Sequence, residues 1–341
     1  MSPRELQEEL EKIVSAKIYD PLLVMGESGI GKSSIIAQVG IQFDLPICDV
    51  RWGQFAPTDA RGVPVAVHES KMTTFYPPSF WPRTGPGIIF LDELNQASPT
   101  MMGLAQQLLL DRKFGDYAVP DGTFVWAAGN RKTDMAAVST IPGPVQNRVA
   151  HYEVEHDLWA FKVWAFARGI SPAILGFLDW RSELLHKPSK ESMAWPSPRT
   201  WEMADRRLVA GLSIAPVVGV DASDEFVAYE SMRSTLPNVD LIESGRGASV
   251  AFPEEPSMRY ALTSELIARS LKEWNKFLCC VRWTIDKARA DPEWVAVLVQ
   301  DTVRLLNAQD KAKYRSYLSQ LIKLEDIRKF VADQVQAGGL T

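Results

Sequence analysis

Residues 26–33 read GESGIGKS, a complete G-x-x-x-x-G-K-[ST] string, and the apolar residues 22–25 run directly into it. A string of this kind commits the chain to one local architecture. A buried strand must deliver the loop and a helix must leave it, so that backbone N–H groups and the positive end of the helix converge on an anion. Residues 32–39 supply the start of that helix. Gly26, Gly29 and Gly31 let the backbone turn and approach a ligand with no Cβ in the way. The loop residues Gly26, Glu27, Ser28, Gly29, Ile30, Gly31, Lys32, Ser33 and Ser34 are therefore expected to wrap the phosphates of a nucleoside triphosphate. Lys32 would reach the β- and γ-phosphates, and the Ser33 hydroxyl would ligate Mg²⁺.

Composition narrows the setting. A chain of 341 residues is long enough for two or three domains with cores of their own. Hydrophobic residues at 46% and charged residues at 23% fit a soluble globular protein. The longest apolar runs, such as 88–91, are far too short to span a bilayer, so no membrane association is expected. Ser2, Pro3, Arg4 and Glu5 open a helix with a capping-box pattern rather than a signal peptide. Cys48, Cys279 and Cys280 make no disulfide framework and no C-x-x-C pair, which points to reduced thiols and a cytoplasmic protein. The net charge is −5 and no Lys/Arg-rich run occurs, so a nucleic-acid partner is not indicated.

The first half of the chain alternates short apolar runs with helical patterns, the signature of a parallel α/β sheet. Strands are expected at 22–25, 47–50, 87–92, 123–128 and 149–154. Ser98 and Pro99 cap and open a helix between the third and fourth strands, and 114–122 reads as a hairpin. From about residue 157 helices take over, at 158–168, 172–185, 199–210 and 224–236. A Gly/Ser/Pro-rich break at 243–256 precedes a charged helical part ending in a frayed Gly338-Gly339 tail. This divides the chain into 1–156, 157–242 and 243–341.

Residues 87–93, GIIFLDE, supply the second half of a nucleotide site. A buried strand ending in two carboxylates places them at the carboxyl edge of a parallel sheet, where ligands bind. Asp92 would hold the Mg²⁺ shell, and Glu93 would polarise the attacking water. Residues 123–130, TFVWAAGN, end in Asn130, which could orient the same water or touch the γ-phosphate. Arg148 sits at a helix-to-strand corner, suited to reach an adjacent subunit's γ-phosphate and stabilise transition-state charge.

This order of phosphate loop (Walker A), IIFLDE (Walker B), AAGN and, at 141–148, IPGPVQNR resembles the AAA+ ATPases, and within them the MoxR-like, dynein-related branch. Residues 57–62 (PTDARG), 91–109 and 114–128 carry the branch resemblance, the first as part of a second-helix insert and the last with a hairpin before the sensor strand. Residues 195–202, WPSPRTWE, look like the family's second-sensor helix, which makes Arg199 a γ-phosphate contact from a helical lid. The resemblance covers about residues 1–235. It implies an α/β AAA+ core with a five-stranded parallel sheet of order 5-1-4-3-2, an α-helical lid over 157–242, and a helical C-terminal region at 243–341. It also implies ATP and Mg²⁺ as cofactors, a homo-oligomeric ring of hexameric type, and a protein client of the kind that carries a von Willebrand A-type domain. Two other functions use the same nucleotide residues: a DNA-directed AAA+ motor or loader, and an ATP-gated scaffold with negligible turnover.

Overall fold

The computed structural model describes residues 1–131, 141 and 143–325. Pro142 of the IPGPVQNR string and the expected C-terminal tail, within 326–341, lie outside the described residues. The chain divides into two compact units, Met1–Asp157 and Leu158–Thr341.

The first unit begins with α1 (Pro3–Ala16), opened by the expected capping box: Glu5 N donates to Ser2 Oγ at 3.2 Å and Ser2 N donates to Glu5 Oε2 at 2.8 Å. Then follow β1 (Leu22–Gly26), α2 (Lys32–Gln42), β2 (Ile47–Arg51), α3 (Pro57–Arg61), β3 (Val63–Val67), β4 (Met72–Tyr76) and β5 (Gly87–Asp92). The unit closes with α4 (Pro99–Asp111), β6 (Lys113–Phe114), β7 (Tyr117–Ala118), β8 (Thr123–Asn130), α5 (Gly143–Gln146) and β9 (Ala150–Val154). Five strands form one parallel sheet in the order β2-β5-β8-β1-β9. With the four hairpin strands left out of the count, this is the expected order 5-1-4-3-2.

Both faces of the sheet are covered, so its central strands carry unbroken apolar runs rather than an alternating pattern. Side-chain parity sorts those runs into two cores. Ile88, Phe90, Phe124 and Trp126 pack with Leu6 and Leu10 of α1 and Ile36 and Val39 of α2. Ile89, Leu91, Val125 and Ala127 pack with Met101, Leu104 and Leu108 of α4. The expected hairpin before β8 is present, as β6 and β7. A second hairpin, β3–β4, has no counterpart among the expected strands. Its residues are half-buried or exposed, so no buried face imposes a period of two on the sequence. Asp116 in the β6–β7 turn holds it instead, accepting from Thr74 Oγ1 at 2.9 Å and from Phe75 N at 2.7 Å.

The described residues of the second unit form helices joined by loops, with no strand: α6 (Leu158–Arg168), α7 (Pro172–Trp180), α8 (Pro198–Val209), α9 (Ala215–Val218), α10 (Val220–Arg233), α11 (Val239–Glu243), α12 (Pro256–Ser270), α13 (Trp274–Lys287), α14 (Glu293–Gln309) and α15 (Lys311–Leu321). The second expected helix of this region ends early, at Trp180 and not at 185, because Arg181 leaves helical geometry (φ −125°, ψ 62°). One core gathers Phe177, Trp201, Phe226 and Tyr229, and another Phe277, Cys280, Leu298, Leu305 and Tyr317. Gly176 lets α7 approach closely, since a Cβ there would fall 2.5 Å from the Tyr229 hydroxyl and 3.1 Å from Ser264 Cβ. No helix among the described residues is long and apolar enough to cross a membrane.

A buried ion cluster ties α6, α7 and α14 together. Lys162 Nζ donates to Asp179 Oδ1 at 3.0 Å, to Asp179 Oδ2 at 2.9 Å and to Asp301 Oδ2 at 2.7 Å. Burial opposes the ammonium charge, but the two carboxylates outweigh it and hold Lys162 above the usual lysine range. Lys162→Ala leaves both carboxylates buried without their cation, and is expected to lower stability by about 3–5 kcal/mol, read from the urea midpoint of tryptophan fluorescence. Because the folded-state pKa is raised, this contribution is fully present below the unfolded lysine value. It is lost as pH rises through the folded value, so on the alkaline side the gap between variant and wild type should close only in strong alkali.

Candidate phosphate-binding site

The loop between β1 and α2 is shaped by its glycines. Gly29 (φ 83°) and Gly31 (φ 97°) lie in the left-handed region that favours glycine. A Cβ on Gly26 would fall 2.5 Å from Val154 O, so no larger residue fits between β1 and β9 there. Ile30 is buried in the core beneath and anchors the loop. The first bond of α2 runs from Ile35 N to Gly31 O, and the N–H groups ahead of it point out of the helix toward the loop.

Four of the residues singled out in the sequence meet at this end of the sheet. Lys32 is almost fully buried, and its Nζ donates to Gly26 O and Glu27 O, each at 2.8 Å, and to Asn130 Oδ1 at 3.0 Å. Ser33 Oγ donates to Asp92 Oδ2 at 2.6 Å. The ladder explains the meeting: Gly26 pairs with Asn130, and Leu91 of β5 pairs with Ala127 of β8, so β1, β8 and β5 all end beside the loop. Glu93 follows Asp92 and turns out of the strand in a left-handed conformation (φ 54°), its N–H donating to Asp92 Oδ1 at 2.8 Å. Its carboxylate is half-buried and has no side-chain partner among the described residues. Ser34 is exposed on the first turn of α2.

These groups fit the ligands that the sequence implies. A hydroxyl and a carboxylate that meet are hard oxygen donors, the set Mg²⁺ takes while keeping waters and sharing phosphate oxygens. A buried ammonium that reaches two loop carbonyls and the Asn130 carboxamide lies where the loop would meet a phosphate tail.

Two arginines lie elsewhere. Arg148 is exposed in the turn after α5, and Ala150, two residues on, donates its N–H to Pro21 O at 2.9 Å. Ala150 pairs with Leu22 while Val154 pairs with Gly26. Arg148 therefore precedes the edge of the sheet opposite the loop, and the five residues of β1 alone span about 13 Å. Arg199 belongs to the second unit, as an exposed residue in the first turn of α8. Neither guanidinium has an ion-pair partner among the described residues.

Sequence reasoning missed three neighbours of the loop. Asn95 Nδ2 donates to Asn130 O at 2.6 Å, and Asn130 N donates to Asn95 Oδ1 at 3.1 Å. His156 Nδ1 lies 2.6 Å from Glu27 Oε2. Asp49 on β2 faces Asp92 closely enough that burial, and then the Asp92 charge, push its carboxyl above the usual range while Arg51 opposes them. Asn95 had the one legible signal, a polar residue two positions beyond the acidic pair in a run otherwise bound for the core.

The fold and the loop define a class: an α/β arrangement in which a glycine-rich loop joins the first strand of a five-stranded parallel sheet to a helix, with helices flanking the sheet and a helical C-terminal part. Among solved structures, the chain is similar to NtrX from Brucella abortus in complex with ADP, at 16% identity and TM-score 0.40, over 86% of this chain and 68% of that one. It is also similar to a point mutant of RuvB from Thermotoga maritima, at 15% identity and TM-score 0.40, over 79% of this chain and 83% of that one. A putative ATPase from Cytophaga hutchinsonii is similar at 13% identity and TM-score 0.34, over 93% and 88% of the two chains. No protein-family model matches the chain, and no curated protein matches it in sequence.

Proposed function

We propose that the chain is a Mg²⁺-dependent ATPase of the AAA+ type, in the MoxR-like branch, that works as a ring-shaped homo-oligomer, a hexamer by resemblance. The observation that carries this reading is the meeting of Lys32, Ser33, Asp92 and Asn130 at one end of the sheet. In this reading the loop N–H groups and Lys32 bind the triphosphate tail, while Ser33 and Asp92 hold Mg²⁺. The ion, when bound, neutralises charge on the β- and γ-phosphates. Glu93 accepts a proton from the attacking water, and Asn130 orients that water or the γ-phosphate. Arg148 lies too far from its own loop to take part there, so it stabilises the transition-state charge of a neighbouring subunit's nucleotide. By resemblance, Arg199 of the helical lid, residues 157–242, would contact the γ-phosphate.

The ATPase cycle would remodel or activate a partner protein, in keeping with the resemblance to the MoxR-like branch. The net charge of −5 favours a protein client over DNA.

The test is phosphate release from ATP, measured with and without Mg²⁺ across protein concentration. Release should need Mg²⁺ and rise faster than linearly as subunits associate. Lys32→Ala should abolish it, with nucleotide affinity falling about a hundredfold or more. ATP binding with no release at any concentration would leave only the scaffold function. Salt-sensitive DNA binding that stimulates turnover would favour the DNA-directed motor.

A further inference from the structure

We infer that Asn95 is a positioning residue for the ATPase reaction: it fixes Asn130 against Lys32 and couples the Glu93 turn to the phosphate loop. This deepens the ATPase reading and rests on it.

Three observations carry the inference. First, β5 stops pairing with β8 at Leu91 and Ala127, three residues short of Asn130. From there the end of β8 keeps a strand neighbour only in β1, through Gly26 and Asn130. The Asn95 carboxamide takes the place of the missing strand, because its Nδ2 and Oδ1 satisfy the C=O and N–H of Asn130 together. Second, Asn95 is 2% exposed. A carboxamide is costly to bury unless its polar atoms are paired, and here both ends of it are. Third, Gly129 is shaped to admit it: a Cβ on Gly129 would fall 2.8 Å from Asn95 Oδ1 and 3.0 Å from Met25 Sδ.

The consequence is mechanical. Asn95 lies two residues after Glu93, with Gln96 N donating to Glu93 O at 2.9 Å in the same short turn. Through Asn95 that turn grips the backbone of Asn130, whose side chain accepts from Lys32. The residue proposed to activate water and the residue proposed to hold the phosphate are thereby joined by a chain of hydrogen bonds. Loss of Asn95 leaves Asn130 free to shift, while the loop, Ser33 and Asp92 keep their own contacts.

The experiment is steady-state ATP hydrolysis by the full chain, compared for wild type, Asn95→Ala, Asn130→Ala and the double variant. Asn95→Ala should lower kcat about tenfold to a hundredfold, the cost of a small misplacement at a reacting centre, with KM for ATP within about threefold. In the Asn130→Ala background the same change should cost little more, since the side chain it positions is gone. A merely structural asparagine would give losses that add. Should Asn95→Ala fail to fold, Gly129→Ala reads the same contact, because its methyl displaces Asn95, and kcat should fall in the same way. Additive losses, or kcat for either single variant within about twofold of wild type, would overturn the inference alone. A wild type that releases no phosphate would overturn the ATPase reading and this inference with it.

Discussion

Glu93→Gln is expected to bind ATP normally and to hold it without turnover, with kcat reduced about 10²–10⁴-fold. The substitution keeps the shape of the side chain and removes only its capacity to accept a proton. Nothing that holds the triphosphate is touched. Lys32 keeps its bonds to Gly26 O, Glu27 O and Asn130 Oδ1, and Ser33 keeps its bond to Asp92. The position also suits the task. Asp92 uses one oxygen toward Ser33 and the other toward Glu93 N, so it is occupied in holding the loop. Glu93, turned out of β5 at φ 54°, keeps its carboxylate available. Fluorescent-nucleotide binding and phosphate release should therefore separate, with affinity intact and rate lost. A variant that hydrolyses ATP within about tenfold of wild type would remove Glu93 from the reaction.

Arg148→Ala should give a loss of comparable or greater size, about 10³-fold or more, with nucleotide affinity unchanged. Its distinguishing property is rescue by mixing. Arg148 is exposed, and the pairing of Ala150 with Leu22 sets it at the edge of the sheet away from its own loop. In the proposed ring the side chain acts on nucleotide held by another copy. A mixture of Arg148→Ala with Lys32→Ala should accordingly recover activity that neither variant has alone, because one supplies the arginine and the other the phosphate loop. An exposed arginine makes little difference to stability, so the melting temperature should stay near that of wild type. Absence of rescue, or weakened nucleotide binding by Arg148→Ala, would place the residue outside the reaction and remove the mechanistic argument for a ring.

What could be read in advance was what is encoded locally. GESGIGKS prescribes its own turn, since two of its glycines sit at φ angles that other residues avoid. The sheet order 5-1-4-3-2 entered through resemblance, and the strand ladder reproduces it. Short-range signals also located the Ser2 and Ser98 caps. The β3–β4 hairpin was not legible, because exposed strands held by one aspartate carry no hydrophobic period. Asn95 was not legible as a partner of Asn130, because a single buried amide names no partner until the sheet brings one to it.

By itself, the chain of residues determined where the phosphate loop lies, where the five strands of the sheet run, and that two carboxylates close the third of them. Only the tertiary structure decided which distant groups touch: Ser33 and Asp92 are 59 positions apart, and Lys32 and Asn130 are 98. It also set Arg148 at the far edge of the sheet. The physical reason is that turns and periodicity are properties of neighbouring residues. Contacts across a parallel sheet depend on strand order and register, which are settled when the apolar faces of the whole unit are buried together.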